Sequence, residues 1–263
     1  MLSDAQRAHF ETFGFLIVRQ MFTPAETARI SQDFDRVLEA GREGGAFSGE
    51  KRQIVLGFVE KNPGLTRLLE DDRLFGAIER LLGPGFTWLG SDGNLYVGDT
   101  AWHPDGSEPD FVRIKAAFYL DPVTRDTGAL RVVPGSHRQP FHEALRPLAT
   151  YRDHPIPPPF GVAPDAVPHV ALESQPGDVA IFNHNIWHAS FGGRVGRRMF
   201  ALNFAEDPAK ESHVAYMHRV YQNKINGLAS QQGDGTVYGE AFLNSGRPRL
   251  KALTARLVAW GFK

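Results

Sequence analysis

The chain has 263 residues, 42% of them hydrophobic and 11% aromatic, with 27 Gly and 18 Pro, the texture of an ordinary globular protein able to bury a sizeable core. Its 29 Lys and Arg balance 30 Asp and Glu for a formal charge of −1, so the charge balance argues for neither a nucleic acid nor an anionic membrane as partner. The lack of cysteine excludes disulfides, a thiolate nucleophile, zinc fingers and thiolate-held iron–sulfur clusters, and any metal must be held by His and carboxylates.

The opening Met1-Leu2-Ser3-Asp4 has neither a basic nor an apolar leader region. No stretch approaches the ~18 apolar residues of a membrane span, and a cytoplasmic location is expected. Ser3-Asp4-Ala5-Gln6 has the form of a capping box, which predicts a helix ending at Gly14, before the apolar run Phe15-Leu16-Ile17-Val18. Thr23-Pro24-Ala25-Glu26 is a second box, and Ile30, Phe34, Val37 and Leu38 then recur on one helical face as far as Gly41. Leu65 to Leu82 reads as helical, interrupted around Glu70-Asp71-Asp72 and stopped by Gly83-Pro84-Gly85. Residues 1–85 are therefore expected to be mostly helical support, with Ser48–Gly57 as a lid candidate.

From Phe86 the texture changes to short β-favouring runs: Phe86–Leu89, Leu95–Val97, Val112–Leu120, Ala129–Val133, Val170–Glu173, Val179–Phe182 and Met199–Phe204. Short strands bounded by Gly, Pro, Asn and Asp indicate a sandwich or barrel over residues 86–206. Between Gln139 and Pro168 the pattern lapses into a connection that includes Pro155, Pro157, Pro158, Pro159 and Pro164. A loop that long in a compact domain is usually functional or mobile, so residues 139–168 are expected to form a lid-like insert. The tail, 207–263, turns helical again around His213–Asn223 and Arg247–Ala259. The whole chain is expected to be a single domain.

Among the ten His, two stand in a His-x-Asp/Glu triplet. His9-Phe10-Glu11 lies in a predicted helix, where i and i+2 point about 200° apart and cannot share a metal. His103-Pro104-Asp105 stands in β-like surroundings, where i and i+2 share a face and can offer an imidazole and a carboxylate to one ion. A second His is expected from Gly177-Asp178-Val179-Ala180-Ile181-Phe182-Asn183-His184-Asn185-Ile186-Trp187-His188, a turn and a buried-looking strand that end in His. His188 is favoured over His184, which shares its strand face only if extended structure persists through Trp187. Two His and one carboxylate on one face of an iron leave three positions open, as non-haem Fe(II) oxygenases need. Arg197 follows the Gly192-Gly193 turn and suits bidentate pairing with the far carboxylate of a 2-oxo acid. Arg198 would then point away, by strand alternation.

Lys115 shares a strand face with Arg113, Ala117 and Tyr119. That face either lines the barrel, where Lys115 would neutralise a carboxylate, or it turns away while Ile114, Ala116, Phe118 and Leu120 fill the core, and the apolar set favours the second arrangement. Asn94 and Tyr96, on the strand before the triplet, are further candidates for cofactor contact. Trp102 and Trp187, each preceding a candidate ligand, are read as packing residues.

The ordered set His103-Pro104-Asp105, Asp126-Thr127-Gly128-Ala129-Leu130-Arg131-Val132-Val133-Pro134-Gly135-Ser136-His137, Gly177-Asp178, Trp187-His188-Ala189-Ser190 and Arg197 resembles the phytanoyl-CoA dioxygenase family of Fe(II)/2-oxoglutarate oxygenases, over roughly residues 5–206. The resemblance implies a mainly β fold with flanking helices, a double-stranded β-helix (jelly-roll, cupin-like) with the N-terminal helices packed on one sheet. It implies that His103, Asp105 and His188 hold iron and that Arg197 holds the C5 carboxylate of 2-oxoglutarate, with Arg198 as the alternative. Pro134-Gly135-Ser136-His137 is read as structural, a turn that ends a strand.

The activity implied is that of a dioxygenase using Fe(II), 2-oxoglutarate and O2 to oxidise a small organic molecule, with hydroxylation the default and succinate and CO2 released. Asp105 argues against halogenation, since halogenating relatives replace that carboxylate with a small residue. The expected partner is a small-molecule substrate, with no nucleic acid and no membrane, and the protein is expected to be a monomer or homodimer. Two rivals are a catalytically silent jelly-roll that binds a metal or ligand and a His/Asp metallohydrolase, which would work without 2-oxoglutarate or O2.

Overall fold

The computed structural model of the protein describes residues 2–42, 44–153, 157–229, 238–243 and 245–262. Pro155 of the Pro-rich run lies outside the described residues. In chain order the helices are α1 (Asp4–Phe13), α2 (Pro24–Ala40), α3 (Pro63–Thr66), α4 (Asp72–Leu82), α5 (Phe141–Ala144), α6 (Glu211–Ala229), α7 (Glu240–Leu243) and α8 (Pro248–Ala259). The strands are β1 (Phe15–Val18), β2 (Gln53–Leu56), β3 (Thr87–Tyr96), β4 (Thr100–His103), β5 (Arg113–Tyr119), β6 (Leu130–Val132), β7 (Val170–Leu172), β8 (Val179–Asn183), β9 (His188–Ser190) and β10 (Arg197–Ala205). Among the described residues no helix is long and apolar enough to cross a membrane.

Both expected capping boxes form. The Ser3 hydroxyl accepts from Gln6 N, the Thr23 hydroxyl accepts from Glu26 N, and each third residue's side chain returns to the cap backbone. These satisfy helix-end N–H groups that have no intrahelical partner and fix where α1 and α2 begin. Gly14 then takes φ 82°, a left-handed turn that sends the chain straight into β1.

Among the described residues, ten antiparallel strands form two sheets, one in the order β1-β8-β5-β10-β3-β2 and one in the order β4-β9-β6-β7. This is the expected double-stranded β-helix with flanking helices. Strand alternation sorts the large sheet into two buried faces. Ile114, Ala116 and Phe118 of β5 and Phe200, Leu202 and Phe204 of β10 pack against α2, α4 and α8, where Phe118 stacks on Phe200 at 4.4 Å between ring centres. Ala117, Tyr119, Ala180, Phe182, Met199 and Ala201 point the other way, towards Leu130 and Val132 of the small sheet. The small sheet's outer side carries a third cluster, in which Trp102 and Trp187 meet Leu148, Tyr151 and Val167 of the Pro-rich connection. That connection lacks periodic apolar residues and yet carries these buried anchors, with Arg146–Asp153 wound into 3-10 helix.

The strands differ from expectation in several places, and β4 and β9 fall outside the predicted runs. The predicted runs Phe86–Leu89 and Leu95–Val97 are one ten-residue strand, β3. The intervening Gly90, Asp92, Gly93 and Asn94 read as turn residues, but Gly93 sits where the Phe58 ring covers the sheet, and a Cβ there would lie 2.2 Å from that ring. Gly90 serves a bulge facing Asn203 and Phe204. Gln53–Leu56, within the lid candidate 48–57, pairs with β3 as an edge strand. Asp105 lies beyond the end of β4, because Pro104 has no N–H to continue a ladder.

Asp178 joins β1 to the turn before β8. Its buried carboxylate accepts from Gln20 N at 2.8 Å, Arg19 Nη1 at 2.9 Å and Gln175 N at 3.0 Å. Burial works to raise the acid, but these donors outweigh it and hold the carboxyl below the usual range. Asp178→Asn should therefore cost about 2 kcal/mol in urea unfolding, the usual scale for losing hydrogen bonds to a charged group. The loss should be fully present at pH 7 and fade as the pH falls below about 4, where the wild-type carboxylate itself becomes protonated and gives up the same contribution.

Candidate active site

The two sheets enclose a cavity of about 180 Å³ whose walls include His103, Asp105, Lys115, Tyr119, His188 and Arg197. His103 ends β4 and His188 begins β9, and pairing of those strands sets the two residues opposite one another, ring centres 4.3 Å apart. Asp105 comes in from the bend after Pro104, which is held by Gly106 N donating to His184 O at 3.0 Å. Asp105 Oδ1 is 3.9 Å from His103 Nε2, and Oδ2 is 3.8 Å from His188 Nε2. All three donor atoms lie within 4.8 Å of one another, close enough for one ion to take all three.

The local hydrogen bonds orient both rings. His103 Nδ1 lies 2.8 Å from Ala101 O, and His188 Nδ1 lies 2.9 Å from Ile186 O. A carbonyl can only accept, so in each ring Nδ1 carries the proton and Nε2 presents a lone pair to the cluster. Burial pushes His188 down to about 4 and lowers His103 as well, so both imidazoles are neutral at pH 7. Burial would raise Asp105, but the Lys115 ammonium, 2.7 Å from Oδ2, overrides it and holds the carboxyl well below its ordinary range.

His184 lies in the turn that follows β8, whereas His188 begins β9 of the other sheet. The backbone turns at Asn183, whose side chain accepts from Asn185 N at 2.8 Å, and extended structure does not persist through Trp187. Ser136 explains the Pro134-Gly135-Ser136-His137 run: its hydroxyl accepts from Trp187 N at 2.9 Å, one residue before the candidate ligand. The adjoining His137 ring packs on Gly14, where a Cβ would come within 2.5 Å of it.

Farther along the cavity lies Arg197, only 1% exposed, with Nε and Nη1 buried and without hydrogen-bond partners. Two glycines make its recess. A Cβ on Gly128, which has φ 90°, would come 1.5 Å from Nη1, and one on Gly193 would come 2.4 Å from it. The guanidinium also stands 5.1 Å over the Tyr96 ring. Arg198 points to the opposite side, where it meets Asp121 at 2.9 Å, Asp35 at 3.0 Å and the Ser31 hydroxyl at 2.7 Å. Alternation thus leaves Arg197 facing the cavity and Arg198 tying β10 to α2.

The two arrangements weighed for β5 coexist. Lys115 faces the cavity while Ile114, Ala116 and Phe118 fill the core on the other side, because helices cover the back of the sheet. Tyr96 lines the cavity, and burial raises its phenol, as it raises Tyr119 to about 12. Asn94 does not line it; its Oδ1 accepts from Arg52 Nε at 2.9 Å and so steadies a guanidinium that does. Arg52 and Ser190 are wall residues that the sequence pattern did not single out, and Tyr119 lines the wall on the face it shares with Lys115. Tyr119 alternates with Lys115 along β5 and was within reach of that pattern, whereas Arg52 precedes an edge strand with no distinguishing motif.

A double-stranded β-helix whose interior holds His-x-Asp, a distal His and an unpaired buried Arg defines the class of non-haem Fe(II)- and 2-oxoglutarate-dependent oxygenases. The chain belongs to the phytanoyl-CoA dioxygenase (PhyH) family, whose model matches residues 10–199. It is 25% identical over 165 residues to the dioxygenase sphC of Aspergillus fumigatus, covering 51% of this chain and 45% of that protein. To the ectoine dioxygenase of Bordetella bronchiseptica it is 29% identical over 160 residues, covering 52% and 50%. The chain thus spans about half the length of these two relatives. The fold is similar to that of HygX from Streptomyces hygroscopicus, solved with nickel and 2-oxoglutarate bound, with a TM-score of 0.60, 18% identity and coverage of 78% of this chain and 88% of that one.

The contrast between the two arginines is measurable without any ligand. Arg197→Met should leave thermal stability unchanged or raise it, since it removes a buried, unpaired charge. Arg198→Ala should lower stability by about 2 kcal/mol through the loss of its charged hydrogen bonds. Calorimetric unfolding of the two variants in metal-free buffer checks the ranking.

Proposed function

We propose that the protein is an Fe(II)- and 2-oxoglutarate-dependent dioxygenase that oxidises a small organic molecule, with hydroxylation as the outcome. His103, Asp105 and His188 would hold the metal and Arg197 would receive the far carboxylate of 2-oxoglutarate. The observation that carries this reading is the recess of Arg197: a buried guanidinium with unpaired donors, given room by Gly128 and Gly193, in the same cavity as three metal-competent donors. An anion of matching shape is what such a recess lacks, and 2-oxoglutarate has a carboxylate to spare when its other end meets the metal.

Bound iron and 2-oxoglutarate would supply activation of O2 coupled to decarboxylation, with succinate and CO2 as products. This chain's residues contribute position and charge. The two neutral imidazoles and the one carboxylate would hold a divalent ion with a single net positive charge left for the co-substrate's anionic end to meet. Tyr96 and Tyr119, kept protonated by burial, present neutral walls beside Arg197 and do not compete for its charge. Lys115 balances Asp105 in the protein without metal. The connection 139–168, with Tyr151 and Arg152 bordering a cleft beside Arg52 and Tyr96, would act as the cover that keeps water from the reaction. We place this activity in the cytoplasm, in a monomer or homodimer.

Replacing His103, Asp105 or His188 by Ala should abolish iron retention and 2-oxoglutarate-dependent succinate release while the circular dichroism spectrum is kept. Full activity in any one variant would remove that residue from the ligand set. Arg197→Ala should raise the 2-oxoglutarate concentration for half-maximal rate at least tenfold, the scale of a lost charge-assisted contact. Arg198→Ala should raise it far less, and the opposite ranking would move the anchor to Arg198.

A further inference from the structure

Behind Asp105, on the side away from Arg197, a second cavity of about 390 Å³ lies beneath α6. It shares Leu56, Asp105 and Lys115 with the first, so a molecule seated in it lies against the candidate metal site. Its polar walls include Arg113, Lys115, His184, Asn203, Tyr216 and Lys224, and its apolar walls include Leu89 and Val220.

The charges there do not cancel. Lys115 and Asp105 neutralise one another. Arg113, 2% exposed, gives Nη2 to Asn185 Oδ1 at 3.1 Å and Nη1 to the Tyr216 hydroxyl, both neutral groups, and its Nε is buried without a partner. Among the described residues no carboxylate comes within ion-pair distance of it; the nearby Glu108 is taken by Arg219 at 3.0 Å. Gly106 makes room for this guanidinium, since a Cβ there would come 2.1 Å from Nη2.

Lys224 reaches down from α6 until its Nζ lies 2.5 Å from where a Gly90 Cβ would be. Glu60 and Asp92 attract Lys224 from that side without forming an ion pair with it. Glu60 accepts from Trp88 Nε1 and Ser91 Oγ, and Asp92 accepts from Asn94 Nδ2. His184, 8% exposed, adds a buried Nε2 with no partner. Burial keeps that imidazole neutral, so it offers a hydrogen bond and no charge.

Two cationic groups with no carboxylate at ion-pair distance, one of them buried, make this partly apolar cleft a favourable place for an anion. We propose that this cavity is the seat of the oxidised substrate and that it selects a small molecule carrying a carboxylate, with its apolar part against Leu89 and Val220. The proposal rests on the Fe(II)/2-oxoglutarate reading only in calling the occupant the substrate. The anion seat follows from the residues beneath α6 alone.

Calorimetric titration of the metal-free protein with hexanoate, hexanamide and hexyl phosphate tests the seat independently of iron. Hexanoate should bind at least tenfold more tightly than the uncharged amide. That preference should vanish in Lys224→Met, and Val220→Trp, which fills the cavity and leaves every charge in place, should abolish binding. Equal binding of hexanoate and hexanamide would overturn the proposal. So would loss of hexanoate binding in Arg197→Ala with retention in Lys224→Met, which would place the anion in the other recess. Tighter binding of hexyl phosphate would overturn the carboxylate assignment. In protein loaded anaerobically with Fe(II) and 2-oxoglutarate, hexanoate should shift the iron absorption bands. Binding without such a shift would overturn the placement beside the metal, whereas failure to load iron at all would overturn the oxygenase reading and leave the calorimetric result standing.

Discussion

The interior between the two sheets must hold ionised groups in a medium that disfavours them, and the rest of the molecule is arranged around that demand. A charge out of water persists only when it is paired, hydrogen-bonded or awaiting a ligand. Asp105 and Lys115 meet the condition by pairing at 2.7 Å, and His103 and His188 meet it by staying neutral. Arg197 has Nε and Nη1 without partners, Arg113 is hydrogen-bonded only to the neutral Asn185 and Tyr216 side chains, and both guanidinium groups are given space by glycines. The helical layer on the back of the large sheet lets β5 and β10 carry this set on one face, because their other face buries enough apolar surface to hold the sheet in place.

Much of this was legible in the sequence. The two capping boxes, the glycine stops and most of the short β-favouring runs are local signals that the fold keeps. His103, Asp105, His188 and Arg197 were legible because their order and neighbours resemble those of a known family. The periodicity of the surrounding residues did not single them out. Asp105 in fact lies outside the strand that a period-two pattern assumed, and Pro104 is the reason.

What escaped is non-local. Gly90, Asp92, Gly93 and Asn94 carry turn chemistry, yet pairing with β10 and β2, distant in the chain, holds them in the middle of β3, with the Phe58 ring over Gly93. Lys115 posed a choice between two faces only as long as the sheet was imagined with one buried side. The surplus charge beneath α6 was invisible for a similar reason. Arg113 and Lys224 are 111 positions apart, and only the packing of α6 across the mouth of the barrel brings them to one cavity. Apolar anchors in the Pro-rich connection escaped because Leu148, Tyr151 and Val167 contribute singly, without a repeat.

The bond from Trp187 N to the Ser136 hydroxyl bears on how such a site can be moved between proteins. His188 begins a strand of only three residues, too short for its own ladder to fix where the imidazole stands. Its backbone position is borrowed from a turn some fifty residues earlier in the chain, through Ser136 and through Val133 N donating to Trp187 O at 2.9 Å. Grafting the two His and the Asp onto another jelly-roll would therefore transfer the donors without their spacing. The graft would have to bring the Pro134-Gly135-Ser136 turn with it, and a screen for lost metal affinity should find substitutions at Ser136 even though that side chain is not one of the three candidate donors.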